Sequence, residues 1–172
     1  AYSGGMSITG PDANTPTRAG IPIGDLGSGL YGVIGILSAL LSREKTNKGQ
    51  HIDMSLLDVQ ISLLTYMATM QTLSGIDPKP IGNAHFVHVP YNSFTTKDGF
   101  VVIAVITDAF WEALLDVVNT ESLRDPRFSK SIDRLKNQQF IESELNKILS
   151  TQTSDYWIKA LNKAKVPCGP IN

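Results

Sequence analysis

The chain has 172 residues with 15 Lys and Arg against 16 Asp and Glu, a formal net charge of −1, which argues against nucleic acid or an anionic membrane surface as an obligatory partner. Its 42% hydrophobic and 18% charged residues suit a chain that buries a sizeable core and exclude a disordered one. The single cysteine, Cys168, excludes an intramolecular disulfide and leads to the expectation of a reducing, cytoplasmic setting.

No basic region followed by an apolar stretch and a small-residue cleavage site opens the chain, so no secretory signal is expected. Ala1 stands in mid-pattern and Pro170-Ile171-Asn172 does not resemble a native end, so a piece of a longer protein is the expectation. Residues 1 to 24 are rich in Gly, Pro, Ser and Thr and read as an irregular connection. From Ser28, the residues Leu30, Val33, Ile34, Leu37, Leu40 and Leu41 recur at helical spacing, which predicts a helix buried on a broad face. Its longest apolar stretch, Leu30 to Leu41, falls short of the roughly 20 residues a bilayer requires, so no membrane partner is expected. Arg43 and Lys45 suit its C-terminal end, and the turn around Gly49 stops it.

His51-Ile52-Asp53-Met54 alternates and predicts a short extended segment. Ser55 with Asp58 then reads as a capping box for a second apolar helix running toward Leu73. Gly75, Pro78 and Pro80 end it and place a linker near residues 75 to 84. Two strand-like runs, Tyr91 to Thr96 and Phe100 to Val105, flank Lys97-Asp98-Gly99 and predict a β-hairpin. Three helices follow: one capped by Asp108, a long amphipathic one spanning Leu135 to Leu149, and one capped by Ser154. The second half therefore reads as α+β, with a small antiparallel sheet.

The chemistry concentrates in Gly20-Ile21-Pro22-Ile23-Gly24-Asp25-Leu26-Gly27-Ser28-Gly29, one carboxylate among four glycines directly before the first predicted helix. Glycines let a ligand approach the backbone closely, and a helix N-terminus favours the ionised carboxylate. Such a carboxylate can attack an activated acyl group and form a covalent acyl-enzyme; spacing alone favours Asp25 or Ser28 as a plain N-cap in a flexible loop. His85 and His88 have a metal-like spacing, but the chain holds only three histidines and no neighbouring ligands, so no metal is expected. No Gly-x-Gly-x-x-Gly follows a strand and no Gly-x-Ser-x-Gly is present, which argues against a nicotinamide cofactor and a serine hydrolase. Asp53 and Asp58 read as a solvated face and a cap, and Phe110, Trp111, Tyr156 and Trp157 as core.

Ser3-Gly4-Gly5-Met6-Ser7-Ile8-Thr9-Gly10, Pro22-Ile23-Gly24-Asp25, Gly35-Ile36-Leu37-Ser38-Ala39-Leu40-Leu41, Lys45 through Asp53 and Ser55-Leu56-Leu57-Asp58 closely resemble the class III CoA-transferases. The likeness continues through Gly82-Asn83-Ala84-His85, Pro90-Tyr91, Asp98-Gly99, Asp125-Pro126-Arg127-Phe128 and Val166 to Asn172, and so covers essentially the whole chain. The resemblance implies an α/β protein in which residues 1 to 78 belong to a large domain and residues 79 to 172 form a small α+β domain. It implies that Asp25 is the catalytic carboxylate, working through an aspartyl acyl-enzyme, with Gly24, Gly27, Gly82, Asn83 and His85 near the substrate. It also implies an acyl-CoA and a small carboxylic acid as substrates, no resident cofactor, a Rossmann-like half preceding Ala1, and an interlocked homodimer. In formyl-CoA transferase a glycine-rich loop covers the site; the matching stretch here, Gly82 to Val89, carries Asn83, Ala84 and His85 in place of consecutive glycines. The family's racemase branch, and a chain that only folds or binds acyl-CoA, are the alternative readings.

Overall fold

A computed structural model describes all residues, Ala1–Asn172, which form two compact units, Ala1–Gly82 and Asn83–Asn172. The first unit carries the loop to Pro22, then α1 (Ile23–Thr46), α2 (Leu56–Ser62) and α3 (Tyr66–Ser74). The second carries β1 (Tyr91–Thr95), β2 (Phe100–Ala104), α4 (Asp108–Val118), α5 (Ser131–Lys136), α6 (Gln138–Leu149), α7 (Ser154–Lys163) and β3 (Cys168–Pro170).

In the first unit α1 begins five residues before Ser28. Pro22 precedes the first turn with φ of −75°, the value a proline ring sets and a helix start requires. Asp25 is thus the third residue of the helix, neither its N-cap nor part of a preceding loop. Asn47 closes the other end in the left-handed conformation, donating its N–H to the Arg43 carbonyl at 2.7 Å. At 24 residues the helix is about 36 Å long. It is long and apolar enough to cross a membrane by length and composition, with a mean hydropathy of 1.5 over its most apolar stretch, which corrects the sequence estimate of its length. Its predicted burial is also corrected: Leu30, Val33, Ile34, Leu37 and Leu41 are exposed, while α2 approaches Gly24 and Gly27, and Ile52 and Met54 of the following connector approach Gly35 and Gly32.

Residues 51 to 55 form no strand and connect α1 to α2 as coil. Ser55 does cap α2: its Oγ accepts the Asp58 N–H at 3.0 Å and donates to Asp58 Oδ2 at 2.7 Å. The single helix expected to reach Leu73 is broken at Thr65, whose φ of 50° no continuous helix accommodates. Gly75, at φ 65°, ends α3, as its freedom to adopt the left-handed region suits.

The second unit holds the main core, in which Phe94, Val101, Ile103, Trp111, Leu114, Phe128, Ile141, Leu145 and Leu161 are buried. The antiparallel hairpin pairs Tyr91 with Ala104 and Thr95 with Phe100. β3 adds an edge strand, with Val101 opposite Pro170 and Ile103 opposite Cys168. The caps differ from expectation by one residue: Thr107 Oγ1 accepts the Phe110 N–H at 3.2 Å and Thr153 Oγ1 the Tyr156 N–H at 3.3 Å, so Asp108 and Ser154 open their helices. The long amphipathic helix divides at Asn137 into α5 and α6. That break lets Arg134 run into the core, only 1% exposed. There its guanidinium donates to the carbonyls of Val89 at 3.0 Å, Phe128 at 3.0 Å and Ser129 at 3.1 Å, and to Asp108 Oδ1 at 2.7 Å.

Candidate functional site

Asp25 stands on the wall of a cleft of about 310 Å³ in the first unit, shared with Ser3, Thr9, Arg18 and Gln60. Its side chain is exposed and makes no hydrogen bond or ion pair within the chain. The backbone brings these residues together across long sequence separations. The N-terminal loop folds back on α2 through Ser3, which is 7% exposed and donates its Oγ to Gln60 Oε1 at 3.4 Å. Gln60 also donates its Nε2 to the Leu56 carbonyl at 3.3 Å. A carboxylate in the first turn of a helix faces the positive end of the dipole and unpaired backbone N–H groups, and in an open cleft it remains accessible to an electrophile.

Gly24 and Gly27 are packed against the segment that carries α2. A Cβ on Gly24 would lie 2.9 Å from Gln60 Nε2, and one on Gly27 would lie 2.8 Å from Leu63 Cδ1 and 3.3 Å from Val59 Cγ1. Both therefore face α2, and neither lines the cleft. Their close packing sets how near Gln60 comes to Asp25's turn. Gly82, at φ 64°, donates its N–H to the Gly10 carbonyl at 2.8 Å. It ties the end of the first unit to the loop residue that follows Thr9, without lining the cleft itself.

Asn83 and His85 belong to the second unit. Asn83 donates its Nδ2 to Ser93 Oγ at 2.9 Å. His85 Nδ1 accepts the backbone N–H groups of Val87 at 3.1 Å and His88 at 3.3 Å, which places any ring proton of the neutral form on Nε2. Its ring stacks on Tyr91 at 5.0 Å and lies 4.7 Å from that of His88. Partial burial, and then the neighbouring His88, hold the His85 pKa below the usual imidazole value. These contacts give His85 a local structural role in shaping the 83–90 loop. No group of three or more His, Cys, Asp or Glu is placed to hold a metal ion.

The model for CoA-transferase family III matches residues 1–172. The chain belongs to this family. Among the relatives of CoA-transferase family III, it is 38% identical over 173 residues to the acetyl-CoA:oxalate CoA-transferase of Acetobacter aceti, a match that covers 99% of this chain and 44% of that protein. It is 35% identical over 175 residues to the succinate–glutarate CoA-transferase of Agrobacterium fabrum, covering 99% of this chain and 43% of that one. The crystal structure of a CaiB/BaiF family protein from Brucella suis superposes with a TM-score of 0.82 at 36% identity, over 99% of this chain and 45% of that chain. The chain thus spans less than half the length of the family III proteins it matches.

Within this family III segment the motif around Asp25 was legible in the sequence, whereas Ser3, Arg18 and Gln60 were not singled out. Ser3 and Gln60 are 57 positions apart, and no local pattern connects them. The one available signal was the polar Gln60 between the apolar Val59 and Ile61 of α2.

Proposed function

We propose that Asp25 is the nucleophile of a CoA-transferase, and that the polypeptide containing this segment moves CoA between an acyl-CoA and a small carboxylic acid. The observation that carries this reading is the exposed Asp25 carboxylate, without an intramolecular partner, in a helical first turn and in a cleft lined by Ser3, Thr9 and Gln60. The family membership and the CoA-transferase names of its relatives support it.

In the first step Asp25 attacks the thioester carbonyl of the donor, a C–O bond forms, the C–S bond breaks and CoA leaves as thiolate, giving a mixed anhydride. The thiolate then attacks the Asp25 carbonyl of that anhydride, releasing the donor acid and leaving an aspartyl-CoA thioester. The acceptor carboxylate attacks this thioester, expelling the thiolate again, and the thiolate takes the acceptor acyl group and restores Asp25. Each step exchanges one activated acyl for another of similar energy, so no external energy source is needed. The helix N-terminus contributes by stabilising the Asp25 carboxylate as it leaves in the breakdown steps. CoA thioesters are substrates in this scheme, and no resident cofactor takes part.

The exposed apolar face of α1 is read as a surface covered by further protein, whether flanking chain or a second copy, and not by lipid. The support is that the family model spans the whole helix and that the relatives are more than twice as long as this segment.

The test is intact mass after incubation with a panel of short acyl-CoAs, with and without hydroxylamine, on this chain and on the full polypeptide. A hydroxylamine-sensitive adduct that disappears in Asp25→Ala and Asp25→Asn is expected. An adduct that persists in both variants, or exchange of the acyl α-proton with solvent in the absence of any acceptor acid, overturns the reading, the latter in favour of a racemase.

A further inference from the structure

Two charged side chains line the Asp25 cleft, Asp25 itself and Arg18. They do not pair with each other, and Arg18 has no ion pair or hydrogen bond elsewhere in the chain. The acid nearest to Arg18 on its own loop is otherwise engaged: Asp12 Oδ1 accepts the Asn14 N–H at 2.8 Å and the Thr15 hydroxyl at 3.1 Å. The loop that delivers Arg18 is closed locally. Thr17 donates its N–H to the Thr9 carbonyl at 2.9 Å and its hydroxyl to the Thr15 carbonyl at 3.0 Å. Gly10 sits at φ 143°, where a Cβ would collide with the Thr15 carbonyl at 2.3 Å, so the turn admits only glycine. Arg18 follows this turn directly, on the wall it shares with Thr9 and Asp25.

We propose that Arg18 is a specificity-determining residue of the acid subsite: it pairs with the second carboxylate of a dicarboxylic acid whose first carboxylate is exchanged at Asp25. The inference rests on the function proposed above. A guanidinium remains charged at any working pH and offers a planar fork that matches a carboxylate. A monocarboxylic acid presents its only carboxylate to the reaction and becomes a neutral acyl group, which leaves the cation without a counter-charge. A dicarboxylic acid keeps one carboxylate throughout the cycle, and that group satisfies Arg18 while Ser3, Thr9 and Gln60 supply neutral hydrogen-bonding groups along the same cleft. At about 310 Å³ the cleft has room for a short acid.

The experiment uses the full polypeptide, as wild type, Arg18→Gln and Arg18→Lys. Oxalate, succinate and glutarate serve as acceptors, each against the monocarboxylic acid of equal carbon number: acetate, butanoate and pentanoate. In Arg18→Gln the loss in kcat/KM on the preferred dicarboxylate exceeds the loss on its monocarboxylic match by about 10- to 100-fold, carried in the acceptor KM, with partial recovery in Arg18→Lys. Equal losses on both acids, or an increase confined to the KM for acyl-CoA, overturn the proposal; the second outcome assigns Arg18 to a CoA phosphate. Calorimetric titration of each dicarboxylate into the unacylated protein reads the subsite without turnover. Weaker binding to Arg18→Gln is expected, and equal binding to both proteins overturns the proposal. If the dicarboxylate binds through Arg18 while no Asp25 adduct forms with any acyl-CoA, the transferase reading fails and the acid subsite stands.

Discussion

Replacing Arg134 by Met should unfold the second unit far more readily than replacing its only acidic partner. Arg134 is 1% exposed and Asp108 51% exposed, so the ion pair is asymmetric. Methionine retains most of the stem volume over Trp111, whose ring centre lies 5.2 Å from the guanidinium carbon, but it leaves the carbonyls of Val89, Phe128 and Ser129 without their donor. Each hydrogen bond from a charged group contributes about 1.5–3 kcal/mol when buried, and the outermost acceptor regains some hydration. The expected loss is therefore about 3–5 kcal/mol. In Asp108→Asn the amide oxygen still accepts from Nη2, and the half-exposed site screens the lost charge, so about 1 kcal/mol is expected. Both tryptophans, Trp111 and Trp157, lie in the second unit and are buried, so urea denaturation followed by tryptophan fluorescence reports on this unit alone. A cost below about 1 kcal/mol for Arg134→Met, or equal costs for the two variants, refutes the argument that the carbonyl acceptors dominate.

Two glycines on α1 should respond differently to the same substitution. Gly29→Ala meets nothing within 4 Å and should stabilise by about 1 kcal/mol through helix propensity, whereas Gly27→Ala meets Leu63 at 2.8 Å and should lose about 1–3 kcal/mol to overpacking, enough to cancel or reverse that gain. Thermal denaturation of the two variants followed by circular dichroism decides it, and equal shifts would disprove the packing role of Gly27. At acid pH, Asp98 should weaken the second unit: the Ser154 N–H, with further help from the Ser154 and Thr96 hydroxyls, holds its pKa below the usual carboxylate value. A folded pKa below the unfolded one means that the contribution is complete above about pH 4 and is lost as pH falls through the folded value. Fluorescence-detected acid unfolding should show a shallower acid limb in Asp98→Asn than in wild type, and superimposable limbs would rule this linkage out.

Local patterns sufficed wherever neighbouring residues decide the conformation. The Ser55–Asp58 cap of α2 and the turn at Asp125-Pro126 depend on side chains reaching nearby backbone, the stop at Gly75 on a left-handed backbone conformation, and the Asp98-Gly99 hairpin on a tight turn, so their signals are short-range. The Asp25 segment was likewise visible as a carboxylate among glycines. Tertiary packing decided the rest. Glycine disfavours a helix interior, so sequence alone started α1 at Ser28; the approach of Gly24 to Gln60, and of Gly27 to Val59 and to Leu63 just past the end of α2, explains why both are helical and why Asp25 sits in the first turn. The break at Asn137 becomes intelligible only once Arg134 is seen to serve three carbonyls and Asp108 from inside the core. The cleft itself joins Ser3, Arg18, Asp25 and Gln60, residues that become neighbours because a turn at Gly10 and the packing of two helices fold distant stretches together. Hydrogen-bond chemistry within a few residues is written locally, whereas the company a side chain keeps across 57 positions is set by the backbone path, which no local pattern encodes.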